Sequence, residues 1–150
     1  MLSTAPIFTI EAELEAIMDL GATPFGNRRF IGIRGGRVSG RKLNGRVLPG
    51  GADWQIVRSD GVTDLQARYV IESDAGALVR VVSDGVRHGP PEVMAKLARG
   101  ESVDPAQYYF RTAMRFETAE PALAWLNRIL AVAHGAREAR LVRLQVYEVS

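Results

Sequence analysis

The chain is predicted to be an all-β protein, a closed up-and-down antiparallel barrel of about eight to nine strands with two short helices. Three observations carry that expectation. Apolar and polar residues alternate with a period of two along most of the chain. Turn signals recur at short intervals, at Gly35-Gly36, Pro49-Gly50-Gly51, Asp60-Gly61, Asp74-Ala75-Gly76 and Asp84-Gly85, and glycine there supplies the positive φ that tight hairpins need. No strand–helix–strand alternation appears, so a parallel sheet is not expected, and closure would remove the edges that so many strands otherwise expose.

Residues 8–20 form the first expected strand. Phe8, Ile10, Ala12, Leu14, Ala16, Met18 and Leu20 share one parity, and Thr9, Glu11, Glu13, Glu15 and Asp19 share the other. Ile10, Leu14 and Ile17 would also satisfy helical spacing, but the alternation accounts for more positions. Strands follow at 29–34, 38–48, 54–58, 65–72 and 78–83, separated by the turn signals. The strands 108–118, 129–134 and 141–149 close the chain. One helix is expected at 91–99, with Pro91 and Glu92 in its first turn, Lys96 and Arg99 in its last, and Gly100 just beyond. Val93 and Leu97 would face the barrel. A shorter helix at 120–127 starts at Pro121 and places Leu123 and Leu126 on one side.

A length of 150 residues fits a single domain spanning 1–150, large enough to bury a core without staples. With no cysteine there is no disulfide, thiolate nucleophile or thiolate metal site, and a cytoplasmic location is expected. No apolar run reaches the roughly 18 residues of a membrane span, so no membrane partner is expected. The net charge is +2, but Arg28, Arg29, Arg34, Arg37, Arg41, Lys42 and Arg46 run without an acid among them. That stretch lacks interleaved aromatic platforms beyond Phe30 and matches no binding motif, so nucleic acid is not expected as a partner.

One stretch is distinctive: Gly40-x-x-Leu43-x-Gly45-x-Val47-Leu48-Pro49-Gly50-Gly51-Ala52-Asp53-Trp54. With Asp60-Gly61, Ala67-Arg68-Tyr69, Tyr109-Phe110-Arg111, Phe116-Glu117-Thr118 and Trp125-Leu126-Asn127, it resembles the family known as domain of unknown function 3237. The resemblance covers nearly the whole chain. It implies a small antiparallel β-barrel, often oligomeric, and no particular reaction. The chain departs from the family pattern at Gln66, where the resemblance implies an acid before Ala67-Arg68-Tyr69.

Several chemistries are excluded by what is missing. Neither phosphate-cradling glycine motif is present, and no Gly-x-Ser-x-Gly elbow exists. Two histidines, His88 and His134, cannot supply a three-histidine zinc site in one chain, and no metal or cofactor is expected. His88 reads as a loop residue and His134 as the end of a hairpin.

Ionisable groups on β-forming segments remain. Asp53 follows a turn that can fold tightly and stands beside Trp54; partial desolvation there would raise its pKa into a range useful for acid–base work. Alternatively, it caps the Gly50-Gly51 turn. Arg68 and Tyr69 point to opposite faces of one strand, so only one of them can line a pocket. On the strand 108–118, Tyr109, Arg111, Arg115 and Glu117 share one face, and Tyr108, Phe110, Met114 and Phe116 the other. If the apolar face packs outward, the charged face lines the lumen; if it fills the lumen, the charges meet solvent. Asn127 reads as a helix cap or a ligand contact.

The leading expectation is a cofactor-independent enzyme for a small metabolite, of lyase, isomerase or hydratase type. Asp53, Glu117 and Arg111 are the catalytic candidates, and Trp54, Arg68, Tyr69, Tyr109 and Asn127 the substrate-binding ones. A non-catalytic small-molecule-binding barrel is the alternative, and an oligomerising scaffold without a cavity the third. A homo-oligomer, with a dimer favoured, is expected through the outer faces of 108–118 and 141–149.

Overall fold

The computed structural model describes residues 1–150 as a barrel of nine antiparallel strands. In chain order they are β1 (Phe8–Thr23), β2 (Gly26–Ser39), β3 (Gly45–Val47), β4 (Ala52–Val57), β5 (Thr63–Ser73), β6 (Leu78–His88), β7 (Tyr109–Thr118), β8 (Leu130–Arg137) and β9 (Leu141–Val149). Successive strands pair as a meander, and β9 returns to β1 with Phe8 opposite Val146 and Glu13 opposite Leu141. The barrel has eight positions for nine strands, because β3 and β4 share one. β3 pairs with residues 36–38 of β2 and 71–73 of β5, whereas β4 pairs with 27–32 and 63–68. The Pro49-Gly50-Gly51 turn separates the two halves, with Gly50 at φ 103°.

The alternation read in 8–20 is a strand, and its inward members Phe8, Ile10, Ala12 and Leu14 are all buried. Two expected turns are strand interior instead. Gly35 and Gly36 lie within β2, paired with Glu13 and Ala12, at φ 151° and 148°. A side chain at Gly36 would collide with the Glu11 carbonyl, so glycine here lets β1 and β2 approach closely within the ladder, one pair before the register shift between Glu13 and Leu14, rather than reverse direction. Asp84-Gly85 likewise continues β6 as far as His88, with Gly85 lying against the β7 backbone at Arg111 and Thr112. The single strand expected at 38–48 is broken, since β2 ends at Ser39 and β3 starts at Gly45. His134 does not close a hairpin; it sits inside β8, opposite Arg111 and Gln145. His88 is the last residue of β6 and stacks on Tyr109 with ring centroids 5.1 Å apart.

The helix α1 (Pro91–Ala98) lies at the expected position and buries Val93 and Leu97. The second is a 3-10 helix, Pro121–Arg128, capped by Glu120, and it buries Leu126 at the opposite end of the barrel from α1. Below, the lumen is filled by apolar packing such as the edge-to-face pair Phe8–Phe116 at 5.7 Å. No helix is long and apolar enough to cross a membrane.

Candidate functional site

Inward-facing positions of a small barrel are ordinarily apolar, because they meet no water. Here the pattern breaks on one side of the α1 end. Arg29 shares the parity of Ile31 and Ile33 on β2, Arg87 that of Val79, Val81 and Ser83 on β6, and Arg137 that of Ala131 and Ala133 on β8. β4 contributes Asp53 and Gln55 on its inward parity. β5 contributes Tyr69, and β7 contributes Thr112.

These side chains form one connected array. Arg29 donates from Nη2 to Gln55 Oε1 at 2.6 Å, and Gln55 Nε2 donates to Asp53 Oδ2 at 2.8 Å. The other Asp53 oxygen accepts the backbone N–H of Gln66 at 3.0 Å. Gln55 is itself only 2% exposed, so its amide holds a fixed orientation between guanidinium and carboxylate. Desolvation raises the Asp53 pKa above the ordinary carboxylate range, even though the Gln55 and Gln66 hydrogen bonds and the charges of Arg87 and Arg137 pull it down. Tyr69 is buried, and its hydroxyl has no hydrogen-bond partner. Desolvation, reinforced by the Asp53 charge, raises its pKa and keeps it a neutral O–H donor.

The three arginines are crowded and short of anions. No ion pair engages Arg29, Arg87 or Arg137. Burial, followed by repulsion from Arg137 and Arg29, lowers the Arg87 pKa to about 10, so it remains a cation at neutral pH. Burial is also the first cause of the lowered pKa of Arg29 and of Arg137. Arg87 lies 5.5 Å from the Phe110 ring, which provides the face of a π system but no counter-charge.

Two spaces meet at this array. The smaller one, about 50 Å³, is bounded by Asp53, Gln55, Tyr69, Ser83, Thr112 and apolar neighbours. The larger is a cleft of about 450 Å³ at the barrel mouth, walled by Arg29, Thr63 and Ile17 and by Met94 and Leu97 of α1. Arg87 and Arg137 line both. The smaller space suits a water or a substrate's reacting tip, and the larger falls within the roughly 300–1,000 Å³ of small-molecule sites.

Of the residues singled out from sequence, the structure brings Asp53 and Tyr69 together and disperses the rest. Asp53 does not cap its turn; its carboxylate points into the lumen. The apolar face of β7 fills the barrel, so Tyr109, Arg111 and Glu117 point outward. Arg111 lies 5.1 Å from the Tyr109 ring and donates to the Phe110 carbonyl. Glu117 and Asn127 border a shallow outer cleft with Arg80 and Arg115, and both ends of the Asn127 amide are bonded to the Thr118 backbone. Arg68 is exposed and paired with Asp84 at 2.7 Å. Trp54 is 42% exposed on the outer face, against Phe30. The expected meeting of Asp53, Trp54, Arg111 and Glu117 in one cavity therefore does not occur. Arg29, Arg87, Arg137 and Gln55 were not singled out, although each is a polar residue on the inward parity of its strand, which is a signal present in the sequence.

Comparison with known proteins places the chain among proteins of undefined activity. The family described as "Protein of unknown function (DUF3237)" matches residues 2–149. UPF0311 protein RPA1785 of Rhodopseudomonas palustris is 45% identical over 148 residues, covering 99% of this chain and 97% of its own. The crystal structure of that conserved protein of unknown function superposes with a TM-score of 0.93, covering 100% of this chain and 98% of the other at 44% identity. A β-barrel-like protein from Acinetobacter baumannii has a TM-score of 0.86 at 39% identity, covering 100% of this chain and 97% of its own. An enzyme from Penicillium herquei shares the fold alone, with a TM-score of 0.63 at 19% identity and 96% of each chain covered.

Proposed function

The chain belongs to the DUF3237 family of proteins of unknown function, and we propose that it is a small-molecule enzyme working by cofactor-independent proton transfer at Asp53. The observation that carries this reading is a desolvated carboxylate fixed at the inner end of an arginine-lined mouth, beside a neutral, unpartnered tyrosine hydroxyl. A lyase, isomerase or hydratase step needs a base of raised pKa and a cationic field for the charge it creates. Asp53 removes a proton from a carbon next to a carbonyl. The C–H electron pair moves into the enolate, whose oxygen Arg87 and Arg137 stabilise. The proton held on Asp53 then returns to the same or a neighbouring carbon, or follows a departing group. Tyr69 donates a hydrogen bond to the reacting oxygen. That a protein sharing this fold is described as an enzyme is consistent with the reading.

A non-catalytic binding barrel is the second reading. It is favoured by one observation: both Asp53 oxygens already accept hydrogen bonds from within the chain. Each carboxylate oxygen keeps a further lone pair, so the first reading is still available.

Exchange of carbon-bound hydrogen for deuterium, followed by proton NMR in D2O over a panel of small carbonyl acids, separates the two. Proton transfer predicts exchange with at least one compound, slowed about 100-fold or more in Asp53→Asn. Equal rates in wild type and variant overturn the role of Asp53, and binding without exchange supports the second reading.

A further inference from the structure

Buried cations are ordinarily paired, and buried polar atoms are ordinarily hydrogen-bonded. The barrel mouth violates both rules at the same place. Arg87 is 6% exposed and its Nε makes no hydrogen bond; Arg29 Nε and Arg137 Nη1 are also buried without partners. Asp53 is the one acid whose charge acts on all three, and its oxygens are taken by Gln55 and the Gln66 N–H; Asp19 acts on Arg29 alone, and Glu15 lines the cleft without pairing with any of the three. Three guanidinium groups that lack an anion while facing one cleft are a site built for one.

The rest of the cleft says what the anion is attached to. Met94 and Leu97 of α1 form one wall, and Ile17, Ile31 and Val57 stand on the strands. Ile17 is 43% exposed, an apolar group left facing an arginine-rich mouth. At about 450 Å³ the cleft is far larger than a bare inorganic ion requires.

Resting on the reading of the mouth as a small-molecule site, we infer that it selects an amphiphilic organic oxyanion, a carboxylate or enolate held by Arg87 and Arg137 with Arg29 beside them, whose apolar body lies against α1. The anion supplies the missing acceptors and offsets the mutual repulsion of the arginines. The apolar part covers Ile17, Met94 and Leu97. An acidic position next to the bound oxyanion would lie toward Asp53, since Arg87 and Arg137 border both spaces.

Isothermal titration calorimetry with 3-phenylpropionate, its neutral amide and inorganic phosphate tests this on the full chain. The inference predicts that the carboxylate binds and that the amide and phosphate each bind at least tenfold more weakly. Arg87→Met should weaken carboxylate binding at least tenfold while leaving the fold intact, because it replaces an unpaired buried charge by an apolar chain of similar length. Thermal unfolding of the same variant checks that it folds, and Arg137→Gln serves as a second variant. Equal binding of acid and amide, phosphate binding as tight as the carboxylate, undiminished binding in both folded variants, or no binding at all overturns it. The outcome is separable from that for proton transfer. Carboxylate binding that persists in Asp53→Asn without hydrogen exchange in wild type keeps this inference and refutes the catalytic reading. Exchange of uncharged carbon acids without carboxylate binding does the reverse.

Discussion

Asp53 shows how a single carboxylate can be read both as a stability feature and as a functional one. Its folded pKa is raised by desolvation. A carboxyl group so shifted contributes its stability fully below its unfolded pKa, about 3.9, and that contribution is lost as pH rises through the folded value. Relative to Asp53→Asn, wild type should therefore lose stability as pH climbs from about 4, leaving the variant the more stable at neutral pH. Urea unfolding across that range measures it, and parallel pH profiles for the two proteins would contradict it. Gln55→Leu removes one of the hydrogen bonds that lowers the Asp53 pKa, so carbon-13 NMR titration should find the carboxyl shifted further upward. At this scale the sequence was only partly legible. Asp53 and Tyr69 stand beside recognisable turn and strand patterns, and both reach the lumen. Arg29 and Arg137 sit among many exposed arginines, and only their parity with Ile31 and Ala133 marks them as inward. Arg111 and Glu117 have the right chemistry on the wrong face, which the strand's alternation could not resolve without knowing what its apolar face packs against.

The elements were more legible than the residues because alternation constrains whole strands. What the alternation does not encode is the use made of each glycine. Gly36 and Gly50 both have positive φ, yet one lies inside a strand and the other in a turn. Local chemistry is the same in both, and only the neighbouring strand distinguishes them. A Cβ at Gly50 would meet nothing within 4 Å, whereas one at Gly36 would strike the Glu11 carbonyl. Gly50→Ala should accordingly cost only backbone strain, about 1 kcal/mol, and Gly36→Ala roughly 3 kcal/mol through strain plus separation of β1 from β2. Comparable urea midpoints for the two variants would contradict this assignment. The helix α1 was legible through its Pro91, Glu92 and Lys96 termini, but its position as a wall of the mouth was not, since that depends on β6 and β7 bringing it over Arg87 and Ile17.

At the scale of the whole molecule, the barrel is closed by Leu126 and apolar packing at one end and opens onto charged groups at the other. Its outer face is uneven. Met18, Phe30 and Trp54 are register partners across β1, β2 and β4, and Phe25 is 80% exposed nearby in the chain. The outward face of β7, where self-association was expected from the sequence, carries Arg111, Arg115 and Glu117 instead. A homodimer would bury more apolar surface through the β1–β2 hairpin and β4 than through β7. Sedimentation equilibrium should give about twice the 16.4 kDa chain mass, reduced toward 16.4 kDa by Trp54→Arg. A wild-type mass of 16.4 kDa would refute it. The central claim concerns the mouth, and a crystal structure grown with 3-phenylpropionate tests it most directly. The carboxylate is predicted within hydrogen-bonding distance, about 2.7–3.1 Å, of Arg87 and Arg137 nitrogens, with the phenyl ring against Met94 and Leu97. A ligand seated in the outer clefts beside Trp54 or Glu117, with the arginine cluster left empty, would contradict it.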